Sequence, residues 1–220
     1  MQIARICCIG ILISCTIASC KQTAEQQQER VLPFYSTADF TPQWKGDITS
    51  GDDTVHRIPS FHFIDQNGAI VSEKTFSGKI YVANFFFTSC PGICKRLTNN
   101  LALVQTAFQN DPELLLLSHS VTPETDSVPV LAKYAKAYGV LVNKWHMVTG
   151  NRDSIYTIAR KAYFADEDMG QQKKSSSDFL HTENIVLIDK QRRIRGVYKG
   201  TSVRDIDNLI ADIKVLKMEQ

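Results

Sequence analysis

The sequence predicts a single α/β domain, a layered sandwich in which helices cover a mixed central sheet. Three observations carry that reading. The run 80–87 is almost continuously apolar, as a strand buried on both faces is, and Leu114 to Val121, opening on four leucines, reads as a second buried strand. Apolar residues at helical spacing follow them, first at Leu97, Leu101, Val104 and Phe108. Short alternating runs bounded by turn residues stand at both ends and add antiparallel hairpins to the parallel pairing that strand–helix alternation implies.

The elements follow in order. Residues 21–57 begin Gln- and Glu-rich and then carry Pro33, Pro42 and Gly46, which reads as a flexible tether and an irregular or short-strand lead-in. Folding proper is expected to begin at Ile58. Phe61-His62-Phe63-Ile64 alternates and stops at Asp65-Gln66-Asn67-Gly68, a hairpin turn signal, before Val71 resumes. After the punctuation at Ser77-Gly78-Lys79 comes the central strand, and then a helix over 94–109. Leu114 to Val121 is a second buried strand, and Val128 to Tyr138 a helix closed by Gly139. Trp145 to Thr149 fits a third strand, and Asp153 to Tyr163 a helix. Asn184 to Asp189 and Arg195 to Tyr198 form a terminal hairpin. A last helix runs from about Val203 to Leu216, with Asp205 in its first turn and Lys214 and Lys217 at its end.

The N-terminus reads as an export signal. Arg5 supplies a basic start, Ile6 to Ala18 is mostly apolar, and polar KQTAEQQQER begins at once after Cys20. The run is short of the roughly 20 residues a membrane span needs, and a signal peptide fits better. Small residues ahead of a cysteine resemble a bacterial lipobox, so residues 1–19 are expected to be cleaved and Cys20 to carry lipid. Cys15 is a poorer candidate because apolar sequence continues beyond it, and an uncleaved anchor is the alternative. Either way the domain, residues 58–220, is exported and tethered by 20–57 to a membrane, on the outer (periplasmic) side of the inner membrane or at the cell envelope.

A net charge of +2 over 220 residues points to no polyanionic partner. The basic cluster at Lys190, Arg192, Arg193 and Arg195 sits in the terminal hairpin and reads as a solvated turn, so no nucleic-acid partner is expected. No oligomer seam is visible, and a monomer is expected.

Of six cysteines, Cys7, Cys8 and Cys15 leave with the signal and Cys20 takes lipid. That leaves Cys90 and Cys94, four apart, between the central strand and its helix. Residues at that spacing share a helix face, Pro91 is tolerated at a helix start, and a helix N-terminus favours thiolate. Lys95 and Arg96 push the same way. Such a pair can cycle to a disulfide, ligate a soft metal such as Cu(I), or form a passive bridge, which gains little across so short a loop. A copper site of two sulfurs wants an imidazole as well. His56 reads as surface, His62 as facing away from Phe61 and Phe63, His119 as a satisfied near-core residue, and His146 is ambiguous. His181, in a loop directly before a strong strand, is the candidate ligand.

These residues resemble a known family. FFFTSCPGIC at 85–94, with DFLHTENIVLID at 178–189, resembles the Sco (SenC) family of copper-binding, thioredoxin-fold proteins of cytochrome c oxidase assembly. FHFIDQNG, SVTPETDSVPVLAKYAKAYGV and KWHMVTG resemble further family stretches, so the likeness spans most of residues 58–216. It implies a thioredoxin-like (peroxiredoxin-like) three-layer sandwich, with Cys90, Cys94 and His181 as ligands of Cu(I) and Cu(II). It also implies help in building the binuclear copper centre of oxidase subunit II. Three positions depart from the pattern: Lys95 replaces a proline after the second cysteine, Thr122 replaces an acidic residue, and Leu180 rather than an Asp precedes the histidine, with Asp178 three residues back. A thiol–disulfide oxidoreductase acting through Cys90 and Cys94 on oxidase subunit II or another exported protein is the competing expectation. A peroxidase using Thr88 beside Cys90 is the weaker one.

Overall fold

The computed structural model describes residues 31–44, 46, 55–165 and 182–219. Its centre is one nine-stranded mixed sheet. In chain order the strands are β1 (Phe34–Tyr35), β2 (Pro42–Gln43), β3 (His62–Asp65), β4 (Ile70–Ser72), β5 (Ile80–Phe86), β6 (Leu114–Ser120), β7 (Trp145–Thr149), β8 (Asn184–Ile188) and β9 (Ile194–Lys199). Across the sheet they lie β2-β1-β9-β8-β5-β6-β7-β3-β4. Only β5–β6 and β6–β7 are parallel; the hairpins at both flanks are antiparallel, as expected.

The two apolar runs are continuous because each alternate side chain enters a different core. Ile80, Val82 and Phe86 of β5 and Leu114 and Leu116 of β6 face α1 (Ile93–Ala107), α2 (Val128–Ala137) and α4 (Val203–Met218). Tyr81, Ala83 and Phe85, with Leu115 and Leu117, face the other way, onto α3 (Arg152–Lys161) and Phe63 and Phe76. The result is three layers: helices, sheet, and a thinner layer built on α3. Among the described residues no helix is long and apolar enough to cross a membrane.

Local chemistry sets the element ends. The β3–β4 turn places Gly68 at φ 78°, while the Asp65 carboxylate accepts the Asn67 and Ala69 N–H groups. Helix α2 ends as expected at Gly139, φ 64°, with Gly139 N–H donating to Lys136 and Val140 N–H to Ala135, a Schellman closure.

The packed body begins earlier than Ile58. Leu32 and Phe34 are buried, because buried Arg195 donates to the carbonyls of Leu32 and Pro33 and pairs with Glu219 at 2.5 Å, while Glu219 accepts the Leu32 N–H. Phe34 lies under the guanidinium groups of Arg193 and Arg195. The basic cluster of the terminal hairpin is therefore in part a clamp on the lead-in, and not wholly a solvated turn; Arg193 also pairs with Asp189 at 2.7 Å.

His119 is buried as expected but not satisfied. It stacks on Phe85, with ring centroids 4.9 Å apart, among Phe61, Phe63 and Tyr163, and among the described residues neither ring nitrogen has a hydrogen-bond partner. Burial pushes its pKa down to about 3, against a weak opposing pull from the Asn84 backbone. The unfolded chain takes up this proton near pH 6.5, so stability is full above that value and falls as pH drops towards 3. Replacing His119 with Phe is expected to remove this acid limb, flattening the loss by up to about 1.4 kcal/mol per pH unit; urea unfolding from pH 7 to pH 4 checks it.

Candidate functional site

Strand β5 ends at Phe86, and the loop that follows delivers Cys90 to the start of α1. That helix has no conventional cap. Gly92 at the cap position offers no side chain, and the first turn holds no acidic residue. The Cys90 sulfur fills the place: the Cys94 N–H donates to its Sγ at 3.5 Å. Both cysteines are free thiols and nearly buried, 8% and 7% exposed.

The two thiols are electrically unlike. Burial alone would push Cys90 up, but the N–H groups of Cys94, Gly92 and Ile93 outweigh it and hold the thiol below its ordinary value. Cys94 is pushed up to about 12, first by burial and then by the neighbouring Cys90 sulfur and the Asp126 charge. Of the two, Cys90 is the one whose thiolate is favoured. The expectation that the helix start favours thiolate holds for the first cysteine only.

The cysteines floor a cavity of about 540 Å³ walled by Phe85, Phe86, Phe87, Pro91 and Val121. Ile93, 55% exposed, and Thr182 and Glu183 also line it. Glu183 is held by the Thr201 hydroxyl and by Lys199 at 3.0 Å. Lys95, at the position where the family pattern has proline, is exposed on α1.

Of the residues singled out by sequence, the structure brings Cys90 and Cys94 together. His181 lies outside the described residues, as do Cys20, Asp178 and Leu180; Thr182, next in the chain after His181, lines the cavity. The other four histidines belong elsewhere. His119 and His146 sit on the opposite face of the sheet, His146 Nδ1 bonded to Asp65 at 2.9 Å. His62 is exposed, as expected. His56 is half-buried rather than surface: its Nε2 bonds the Ala162 carbonyl at 2.8 Å and its ring packs on Phe164. Among the described residues no three His, Cys, Asp or Glu side chains form a metal cluster.

Sequence reasoning passed over Asp126. It is buried and accepts hydrogen bonds from the Thr88 N–H and hydroxyl, the Ser120 hydroxyl and the Thr122 hydroxyl. Thr88 is thus committed to a carboxylate, which removes the hydroxyl a peroxidase reading would use. Tyr134 was missed as well; it shares a hydrogen bond with Thr98, whose hydroxyl also donates to the Cys94 carbonyl.

A thioredoxin-like sheet with paired thiols at the mouth of its central strand defines a class of dithiol proteins, redox or metal-binding. Within it the chain belongs to the SCO1/SenC family, whose model matches residues 50–217. A SCO1 protein homolog of Bacillus subtilis (strain 168) is 26% identical over 161 residues, 72% of this chain and 82% of the relative. Among solved structures, BsSco, described as a member of the Sco family of cytochrome c oxidase assembly proteins and as having a disulfide switch, is similar at TM-score 0.61 and 25% identity. The match covers 74% of this chain and 94% of that one. Arabidopsis thaliana ScoI with copper bound is similar at TM-score 0.55 and 25% identity, covering 71% and 97%.

The split between the thiols gives a measurable asymmetry. With iodoacetamide, Cys90 of the reduced chain is expected to react half-maximally at a pH below that of a free cysteine, about 8.5, and Cys94 to stay unreactive until the chain unfolds. Peptide mapping after timed alkylation from pH 5 to pH 10 reads both.

Proposed function

We propose that the chain is a membrane-tethered copper carrier that takes Cu(I) or Cu(II) on Cys90, Cys94 and His181 and helps build the binuclear copper centre of cytochrome c oxidase subunit II. The observation that carries the reading is the pair of free thiols set over one helix start, inside an apolar cavity, in a chain of the family to which the copper-bound Arabidopsis protein belongs. The donor set fits the cargo. Two sulfurs are soft ligands suited to Cu(I), and an imidazole extends the set to Cu(II). His181 directly precedes Thr182 of the cavity wall in the sequence, and the four other histidines are placed away from the cysteines. A two- or three-coordinate site releases its ion by ligand exchange, one acceptor ligand entering as one of these leaves. Lipid on Cys20 would keep the domain at the outer face of a membrane, where an oxidase copper domain also stands.

The second reading, reduction of disulfides in the acceptor, is favoured by the inequality of the thiols. Cys90 thiolate would attack a target disulfide and release one target thiolate. Cys94, giving up its proton, would then break the mixed disulfide, leaving the target with two thiols and this chain with a Cys90–Cys94 bridge. The two duties are compatible, since an acceptor must be reduced before it takes copper.

Competition with a Cu(I) chelator, on the purified, reduced full chain under anaerobic conditions, tests the first reading. One tight Cu(I) per chain is expected, with affinity lowered about tenfold or more, ~1.4 kcal/mol, by His181→Ala and binding lost in the Cys90→Ser, Cys94→Ser double variant. Equal and weak binding by the wild type and His181→Ala would sink it.

A further inference from the structure

Asp126 is a carboxylate 1% exposed, and among the described residues no basic side chain forms an ion pair with it. A buried charge of this kind is tolerated only where donors replace its water. Four do: Thr88 N–H at 3.1 Å, Thr88 Oγ1 at 2.5 Å, Ser120 Oγ at 2.6 Å and Thr122 Oγ1 at 3.1 Å. Its own N–H donates to the Thr122 carbonyl at 2.9 Å, so the turn after β6 is closed on itself. Ser120 is the last residue of β6 and is paired with Phe86, the last of β5. The carboxylate therefore stitches the ends of the two central parallel strands together, at the point where the chain leaves for Cys90.

Two of the four bonds go to one residue, Thr88, and they take both its backbone and its side chain. That fixes the peptide plane entering the loop as well as the threonine rotamer. The next turn follows from it: the Cys90 N–H reaches back to the Phe87 carbonyl at 3.4 Å, and the Cys90 sulfur then meets the Cys94 N–H. A rotation at Thr88 would swing the sulfur off the helix axis. We propose that Asp126 is a positioning residue that sets where Cys90 stands over the start of α1, acting through Thr88. The proposal rests on the reading that Cys90 and Cys94 carry the chemistry, but not on copper being the cargo. Thr122, where the family pattern has an acid, is here one of the donors to Asp126.

The test separates positioning from stability. Full chains carrying Asp126→Ala, Thr88→Val, Ser120→Ala or Asp126→Ala with Thr88→Val are compared with wild type by thermal unfolding and by two readouts of the cysteines. One is Cu(I) affinity by chelator competition. The other is the equilibrium in which the two thiols and glutathione disulfide give the Cys90–Cys94 disulfide and two glutathiones. Asp126→Ala and Thr88→Val are expected to change this equilibrium constant about tenfold, as loss of a group orienting a ligand does, with the double variant no further changed than Asp126→Ala alone. Ser120→Ala removes a donor from the same carboxylate without touching the loop, and should lower the melting temperature while leaving the equilibrium within twofold of wild type. If Ser120→Ala shifts the cysteines as far as Thr88→Val does, or if all variants melt earlier with an unchanged equilibrium, Asp126 is only structural and the proposal is overturned. Should Asp126→Ala fail to fold, Thr88→Val against Ser120→Ala decides. A shifted thiol equilibrium in a chain that never binds copper would uphold the positioning role and defeat the carrier reading.

Discussion

A sulfur atom standing in for a helix cap is the contact on which the site depends. Helix α1 begins with four N–H groups that nothing in the helix can satisfy, and its cap residue, Gly92, has no side chain to offer. The Cys90 sulfur takes one of those groups. In return the sulfur sits in the positive field of the helix start, which favours its thiolate. A serine at position 90 could cap the helix as well, but it could not bind a soft metal or exchange with a disulfide. Stability and chemistry thus share one hydrogen bond.

Everything around that contact holds it in place. Strand β5 is clamped between β6 and β8 and buried on both faces, so its end is a rigid platform. From there the loop is short and is pinned by Asp126, while inside α1 the Thr98 hydroxyl ties the Cys94 carbonyl to Tyr134. Phe86 and Phe87 pack in the core that holds the two cysteines and give the sulfurs an apolar surround. Ile93, which also lines the cavity, is apolar and exposed. These features accord with the proposed holding and release of an ion or a mixed disulfide.

How much of this the sequence carries differs by element. Strands β5 and β6 are legible because burial on two faces leaves no polar alternation, and α2 because Gly139 closes it. The hairpins are legible from Asp65 to Gly68 and from the turn before Ile194. The lead-in is harder: β1 and β2 are two residues each, too short for a period to show. Leu32 and Phe34 are buried only because Arg195, far along the chain, reaches them. Cys90 and Cys94 announce themselves by spacing. Asp126 does not, because its partner Thr88 is 38 positions away and a lone Asp in a turn looks like any other. For His119 the burial could be read from its strand, but the missing partner for its ring could not, since that depends on four aromatic neighbours from distant segments.

On the proposed function, two sulfurs of one chain, joined by the imidazole of His181, hold one copper ion. X-ray absorption at the copper edge, on the full chain loaded anaerobically with one Cu(I), tests it most directly. Two sulfur scatterers and one nitrogen are expected at wild type, with the nitrogen lost in His181→Ala and both sulfurs retained. A single sulfur at wild type, or a spectrum indifferent to the histidine, would contradict it.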